Sequence, residues 1–441
     1  MKNKTFLSIG GLLLVCSLAG CAVEGSGEEQ EADNPYSSIK VVSVSPKELP
    51  NPGYVDSGAV ADGANDFAFR FSAALAKQTG AKNLVCSPLS AWIPLTALVN
   101  AVDAQHKAAL LTALGVSGLE AADINKGVSG MLYGLTRQGE KESYEELEKK
   151  DYEGPVKIAN AIFVDYDARI KKDFAQAFMD YFRGSSIQVD FESPEAVKEV
   201  NDWAGKQTNG LIPEVIKEFP PATLAVLANA IYFFDRWDWE FDPDKTKEDK
   251  FKALDGETTA FYMLREGDEL AYYEDDTLQA MPLGFERGGG MYILLPKDGN
   301  AAGLLSSLTN ASFSKIRAGL ERAKGKLLLP RFSIKGDVMV LNDVLISLGL
   351  PLFEAGSLPG VIQETALQLT GVAQKAVIEV DEKGTTAAAV TLLPMASSAG
   401  PQDPPEKTFE MICDKPFVFV LYDRGSGGSE QVVFTGMVNK P

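Results

Sequence analysis

The chain has one histidine, His106, in 441 residues. That excludes a histidine-rich metal site and leaves any histidine-based catalytic triad dependent on a single imidazole. His106 sits in the polar stretch Asp103-Ala104-Gln105-His106-Lys107, between apolar helical segments, where it is expected to be exposed. Cysteine is almost as scarce. Of the four, Cys16 and Cys21 lie near the start, and Cys86 and Cys413 are far apart and flanked by apolar residues. A disulfide framework needs more, so Cys86 and Cys413 read as small core residues. Basic residues are outnumbered 42 to 61, a net charge of −19, which disfavours nucleic acid and anionic membrane surfaces. No Gly-x-Ser-x-Gly nucleophile turn occurs. Glu145, Glu146, Glu148 and Asp151 share a charged run with Lys149 and Lys150 and read as a solvated face rather than an acid site. No metal and no cofactor are expected.

After Leu18, no apolar stretch approaches the roughly 18 residues of a membrane-spanning helix. The run before it, Phe6 to Leu18, comes after Lys2 and Lys4 and ends in Leu18-Ala19-Gly20-Cys21. A basic start, a short apolar core and a small-residue exit mark a cleaved leader over residues 1–20. The ending resembles a bacterial lipobox. That resemblance implies cleavage before Cys21, lipid on Cys21 and a chain held to a bacterial membrane outside the cytoplasm, at the cell surface or on the periplasmic face. Residues 21–59 read as a tether. Glu24-Gly25-Ser26-Gly27-Glu28-Glu29-Gln30-Glu31 is acidic and flexible, and Pro46, Pro50 and Pro52 stiffen the second half of the tether.

Residues 60–441 read as one globular domain with no internal linker. Phe67, Phe71 and Leu75 recur at helical spacing, with Gly80 as a stop. Asp337 is placed to cap a helix that buries Leu341, Leu345 and Leu348, with Gly349 beyond its end. Met291 to Leu295, Ala376 to Val380, Phe417 to Tyr422 and Val432 to Val438 read as strands. Helices cluster early and strands late, without regular alternation, which favours an α+β fold.

The informative stretch begins at Lys375. A strand runs into Asp381-Glu382-Lys383-Gly384, and then comes Thr385-Thr386-Ala387-Ala388-Ala389-Val390-Thr391. Small uncharged side chains with strand-compatible members can enter between existing strands without large clashes. With period two, Thr385, Ala387, Ala389, Thr391, Leu393 and Met395 share a face that becomes more apolar along its length. Read alone, the run fits a surface linker equally well.

This stretch resembles the hinge and reactive loop of the serpin family. The resemblance extends over roughly 380 residues, through Asn83-Leu84-Val85-Cys86-Ser87-Pro88-Leu89-Ser90, Asn160-Ala161-Ile162-Phe163, Asn201-Asp202-Trp203, Asn229-Ala230-Ile231-Tyr232-Phe233 with Trp237, Leu329-Pro330-Arg331-Phe332, Asp414-Lys415-Pro416-Phe417 and Phe434-Thr435-Gly436. It implies an α+β fold of three β-sheets surrounded by eight or nine helices, with an exposed reactive loop. It implies no enzyme but an inhibitor that forms a covalent acyl complex with a serine protease, or with a cysteine protease, and acts as a monomer. Carried over residue by residue, the hinge is Glu382 and Gly384, followed by Thr385, Thr386, Ala387, Ala388, Ala389 and Val390. Ser87, Ser90, Asn229 and Gln374 match a sheet-opening cluster, and Trp237 the aromatic where insertion begins. Gln374 stands where the family usually has His. Its amide both donates and accepts, so the cluster is expected without pH sensitivity. Counting from Glu382 puts the cleaved bond at Ser398–Ala399, with Met395 or Ala396 as neighbouring options. Ser398 suits the small or shallow pockets of elastase-like or subtilisin-like proteases. Pro394 lies in the stretch that must insert and donates no backbone hydrogen bond. A non-inhibitory binding or scaffold lipoprotein is the other reading. The absence of bulk or charge at Ala387-Ala388-Ala389 weighs against it.

Overall fold

Phe67, Phe71 and Leu75 line one side of α1 (Gly58–Thr79) and are fully buried. The helix stops at Gly80, whose φ of 63° suits a residue without Cβ. The structure is a computed structural model that describes residues 16–19, 58–136, 156–208, 210, 212–384, 407–424 and 430–441. After α1, β2 (Leu84–Cys86) leads through Ser87 into α2 (Pro88–Ala97). The Ser87 hydroxyl accepts from the backbone N–H of Ser90 and caps that helix, and Pro88 opens it. All ten residues of α2 are buried. Then come α3 (Ala104–Ala113) and α4 (Ala121–Leu135).

The main sheet is built from β3 (Val156–Asp165), β4 (Gly184–Val189), which comes after α5 (Lys172–Phe182), and β5 (Thr223–Phe233). β3 pairs parallel with β4 and antiparallel with β5. β5 is apolar on both faces because both are covered. α2 packs on one side. On the other lies α6 (Glu195–Gln207), whose Ala196, Val200 and Ala204 meet Phe163, Val226 and Ala228.

A second body of sheet comprises β6 (Lys247–Ala253), β7 (Gly256–Glu274), β8 (Leu278–Gly284), β9 (Gly290–Pro296) and, after α7 (Ala301–Ser307) and α8 (Asn310–Ala318), β10 (Glu321–Pro330). With β16 (Thr408–Ile412), β17 (Phe417–Arg424) and β18 (Glu430–Val438) these form one ladder, β16-β10-β7-β8-β9-β17-β18-β2, with β6 also on β7. The long β7 joins the two halves of this ladder, pairing with β6 and β10 and then with β8. Nine α-helices occur among the described residues.

Between these bodies run β11 (Phe332–Lys335), β12 (Met339–Val340), α9 (Asn342–Ser347), β13 (Leu369–Gly371), β14 (Ala373–Gln374) and β15 (Val377–Val380). β11 pairs with β15 and β12 with β14. Here the Asp337 expectation fails. Met339 and Val340 are taken up by β12, so α9 starts later, with Leu341 at its N-cap position. Leu341 and Leu345 are buried as expected, and Gly349 follows with a φ of 85°.

One strand departs from the sequence reading. Cys16–Ala19, taken as the end of a leader outside the fold, forms β1. It lies between β5 and β13, antiparallel to both. The reason lies in its neighbours. Among the described residues β5 forms no ladder with β13, β14 or β15, so facing backbone edges remain that an extended segment can satisfy.

Candidate functional site at the hinge and the strand gap

The hinge is a tight turn after β15. Asp381 and Gly384 bridge each other, and Gly384 also bridges Arg236 just beyond β5. Three hydrogen bonds clamp the turn. The Trp237 backbone N–H donates to Lys383 O (3.1 Å), the Phe241 N–H to Glu382 O (2.8 Å) and the Trp237 indole Nε1–H to Asp381 O (2.9 Å). Trp237 is fully buried, stacked on Phe285 with ring centroids 4.8 Å apart. Gly384 has a φ of 118°, and a Cβ there would stand 2.7 Å from Arg236 Cα and Trp237 N. Only glycine fits.

The Glu382 carboxylate is nearly buried, at 6% exposure. Arg331 grips it side-on, with Nε–Oε2 at 2.9 Å and Nη2–Oε1 at 2.5 Å, and the Thr246 hydroxyl donates at 2.6 Å. Burial alone would raise its pKa. The Arg331 and Thr246 hydrogen bonds outweigh burial and hold it below the usual carboxylate range. Burial wins at Asp381 and Glu379, whose pKa values are raised.

Further along the gap, a neutral network crosses the sheet. Gln374, fully buried, accepts from the Ser87 N–H (3.1 Å) and donates to the Ser87 carbonyl (2.8 Å). The Ser87 hydroxyl donates to Val433 O in β18 (2.8 Å). Ser90 Oγ donates to Asn229 Oδ1 (2.5 Å), Asn229 Nδ2 to Asn160 Oδ1 (2.7 Å) and Asn160 Nδ2 to Phe182 O (2.6 Å). The chain of amides and hydroxyls ties β14, α2, β5 and β3 together beneath the surface.

The sequence profile of the family described as serpin (serine protease inhibitor) matches residues 62–441. The chain is a serpin. An uncharacterized serpin-like protein of Thermococcus kodakarensis is 31% identical over 290 residues, which span 65% of this chain and 66% of that one. Serpin A3-6 of Bos taurus is 28% identical over 414 residues, 90% of this chain and 92% of its own. Among solved structures, the thermophilic serpin tengpin in its native state superposes with a TM-score of 0.73 at 22% identity, covering 91% of this chain and all of that one. Serpins are generally protease inhibitors that bind target proteases, and are not themselves enzymes.

Within this serpin, Ser87, Ser90 and Asn229 are linked by hydrogen bonds, with Gln374 joined to them through Ser87. Trp237, counted with that cluster in the sequence reading, makes its hydrogen bonds to Asp381 and Lys383 instead. It belongs to the hinge with Glu382 and Gly384. Thr385, Thr386, Ala387, Ala388, Ala389, Val390, Ser398 and Ala399 lie outside the described residues, as does Cys21. Three residues with clear contacts here were given no role from sequence: Arg331 and Thr246 on Glu382, and Asn160 on Asn229. Arg331 was discoverable, because a charge in the apolar run Leu-Pro-Arg-Phe needs a partner. Cys86 and Cys413 are buried free thiols, as expected. His106 is less exposed than expected, with 11% of its side chain accessible. It is held between Asp103 (2.7 Å) and Glu354 (2.9 Å).

Proposed function

We propose that this serpin is a single-use inhibitor of a serine protease. The protease attacks the loop after Gly384 as substrate, at Ser398–Ala399, and is held as an acyl complex while the cut loop enters the main sheet beside β5. One observation carries this reading: β1 sits between β5 and β13, antiparallel to both, with Cys16 opposite Leu227 and Ser17 opposite both Val226 and Gly371. The sheet takes one more strand on the line that a segment turning back at Gly384 would follow. Insertion adds ladder hydrogen bonds and buried area, which is how strand addition gains affinity. A protease distorted by an ångström or so loses triad and oxyanion-hole geometry and does not deacylate.

The proposal includes a leader, residues 1–20, removed before Cys21, and lipid on Cys21 that holds the chain to a bacterial membrane outside the cytoplasm. β1 is then absent from the mature protein, and the gap is left to the loop. The target has a small or shallow specificity pocket, as in elastase-like or subtilisin-like enzymes.

The test is to mix the chain from Ala22 onward with an elastase-like serine protease and follow it by denaturing gel electrophoresis and intact mass. A boiling-resistant band at the summed mass, with the cut mapped to Ser398–Ala399, supports the reading. A clean cut without an adduct counts against it. Pro394→Ala, which restores a backbone donor to the entering strand, is expected to lower the number of inhibitor molecules consumed per protease trapped, read from a titration of residual activity.

A further inference from the structure

Arg265 carries the one buried guanidinium edge left unmatched among the described residues. It projects from β7, is 5% exposed, and lies against two rings, 4.4 Å from the centroid of Phe241 and 5.2 Å from that of Trp239. Its Nε and Nη2 are buried and bond nothing. These two atoms form the side-on fork that matches the two oxygens of a carboxylate. Arg331 uses the same pair of atoms on Glu382. Asp238, next to Trp239, adds a negative field but accepts from neither atom. Burial lowers the guanidinium pKa to about 10, so it remains a cation at neutral pH. Aromatic rings stabilise the flat faces of a cation but do not satisfy its N–H groups. Trp239 is half exposed, and its indole rests on Gly267, so it forms the wall of the site that faces solvent.

We infer that Arg265, between Trp239 and Phe241, is a receptor for a carboxylate, admitted when the Trp239 ring swings aside. The ligand is either a free small carboxylate or an acidic side chain of a peptide. The site touches the hinge through one segment. Phe241, which covers the guanidinium, also donates its N–H to Glu382 O. A bound carboxylate is therefore positioned to alter how firmly the Trp237–Phe241 segment holds the turn.

The full chain is titrated with sodium acetate and, separately, with a glutamate-containing tripeptide amide, against sodium chloride at equal ionic strength. Tryptophan fluorescence and melting temperature are read. Trp92 and Trp237 are buried and Trp203 is partly covered, so the titration is read in a Trp203→Phe background, where Trp239 supplies most of the solvent-sensitive signal. A saturable change with acetate assigns a free small carboxylate, and one with the peptide alone assigns an acidic side chain. Arg265→Gln is expected to abolish the response. Arg265→Lys, which keeps the charge but loses the fork, is expected to weaken it at least tenfold. Should Arg265→Gln fail to fold, Trp239→Ala decides. It removes the cover, and the acetate-induced rise in melting temperature should grow. The same response to acetate, peptide and chloride, a response that persists in Arg265→Gln, or no change in Trp239→Ala would overturn the assignment.

Discussion

At the hinge end of the gap beside β5, a carboxylate meets a guanidinium and a hydroxyl, and Arg331 is still 44% accessible. Midway along the same gap, Gln374, Ser87, Ser90, Asn229 and Asn160 are all nearly or fully buried, and none of them carries charge. In the proposed mechanism both regions lie where the loop enters the sheet. They differ in what conditions weaken them. The hinge clamp depends on ionisation and feels acid. The amide network has no group that titrates in the physiological range and is insensitive to pH, but each of its members is costly to remove because a buried partner is left behind.

The sharpest way to break the hinge end is Gly384→Ala. The φ of 118° and the 2.7 Å approach to Arg236 and Trp237 leave no room for a methyl. A loss of about 1–3 kcal/mol or more is expected from the backbone conformation and the clash, seen as a lower urea midpoint with an unchanged slope. Asn229→Ala tests the middle. It strands Ser90 Oγ and Asn160 Oδ1, at about 1–3 kcal/mol for each buried group left unmatched, and should speed unfolding in urea. Because a native loop-out state is held kinetically in the proposed mechanism, the unfolding rate is the cleaner measure.

The acid response separates the two regions. The folded pKa of Glu382 is depressed. Its contribution is therefore complete above the unfolded glutamate value, near 4.3, and is lost as pH falls through the folded value. Glu382→Gln should flatten the part of the stability–pH curve below about pH 4, while Asn229→Ala should only displace the curve downward. The smallest effect belongs to His106. Its pKa is raised, by hydrogen bonds from its ring to Asp103 first and Glu354 second. A raised folded pKa gives stability that is full below the unfolded value, about 6.5, and disappears as pH climbs through the folded value. In a His106→Gln background, unfolding between pH 6 and 8 should be flat. Adding Gln374→His should restore a slope, now from the middle of the gap.

Much of this arrangement was legible in the chain. Local signals found α1 from its phenylalanine spacing and β9 from the apolar run that ends at Pro296, whereas the hinge at Asp-Glu-Lys-Gly came from the resemblance alone. The resemblance also singles out Ser87, Ser90, Asn229 and Gln374, which the structure joins by hydrogen bonds. What stayed hidden were pairings across long separations: Arg331 with Glu382 are 51 residues apart, and Asn160 with Asn229 are 69 apart. No periodicity encodes such distances. The Asp337 cap was misread for a related reason. A helical spacing of leucines was visible, but the competing attraction of β14 for Met339 and Val340 was not.

β7 has a further consequence. At 19 residues it extends about 60 Å, and it carries β6 along its first third, β10 along most of the rest and β8 at its far end. β16, which begins one residue after the described chain resumes at Lys407, rests on β10 and so on this spar. The two attachments of the intervening segment thus have unequal mechanical standing. Gly384 hangs from the two-stranded pair of β15 and β11 and from the Trp237–Phe241 segment, whereas Lys407 hangs from the nine-stranded ladder. In the proposed mechanism a force applied between them is borne by that ladder and loosens the smaller pair first.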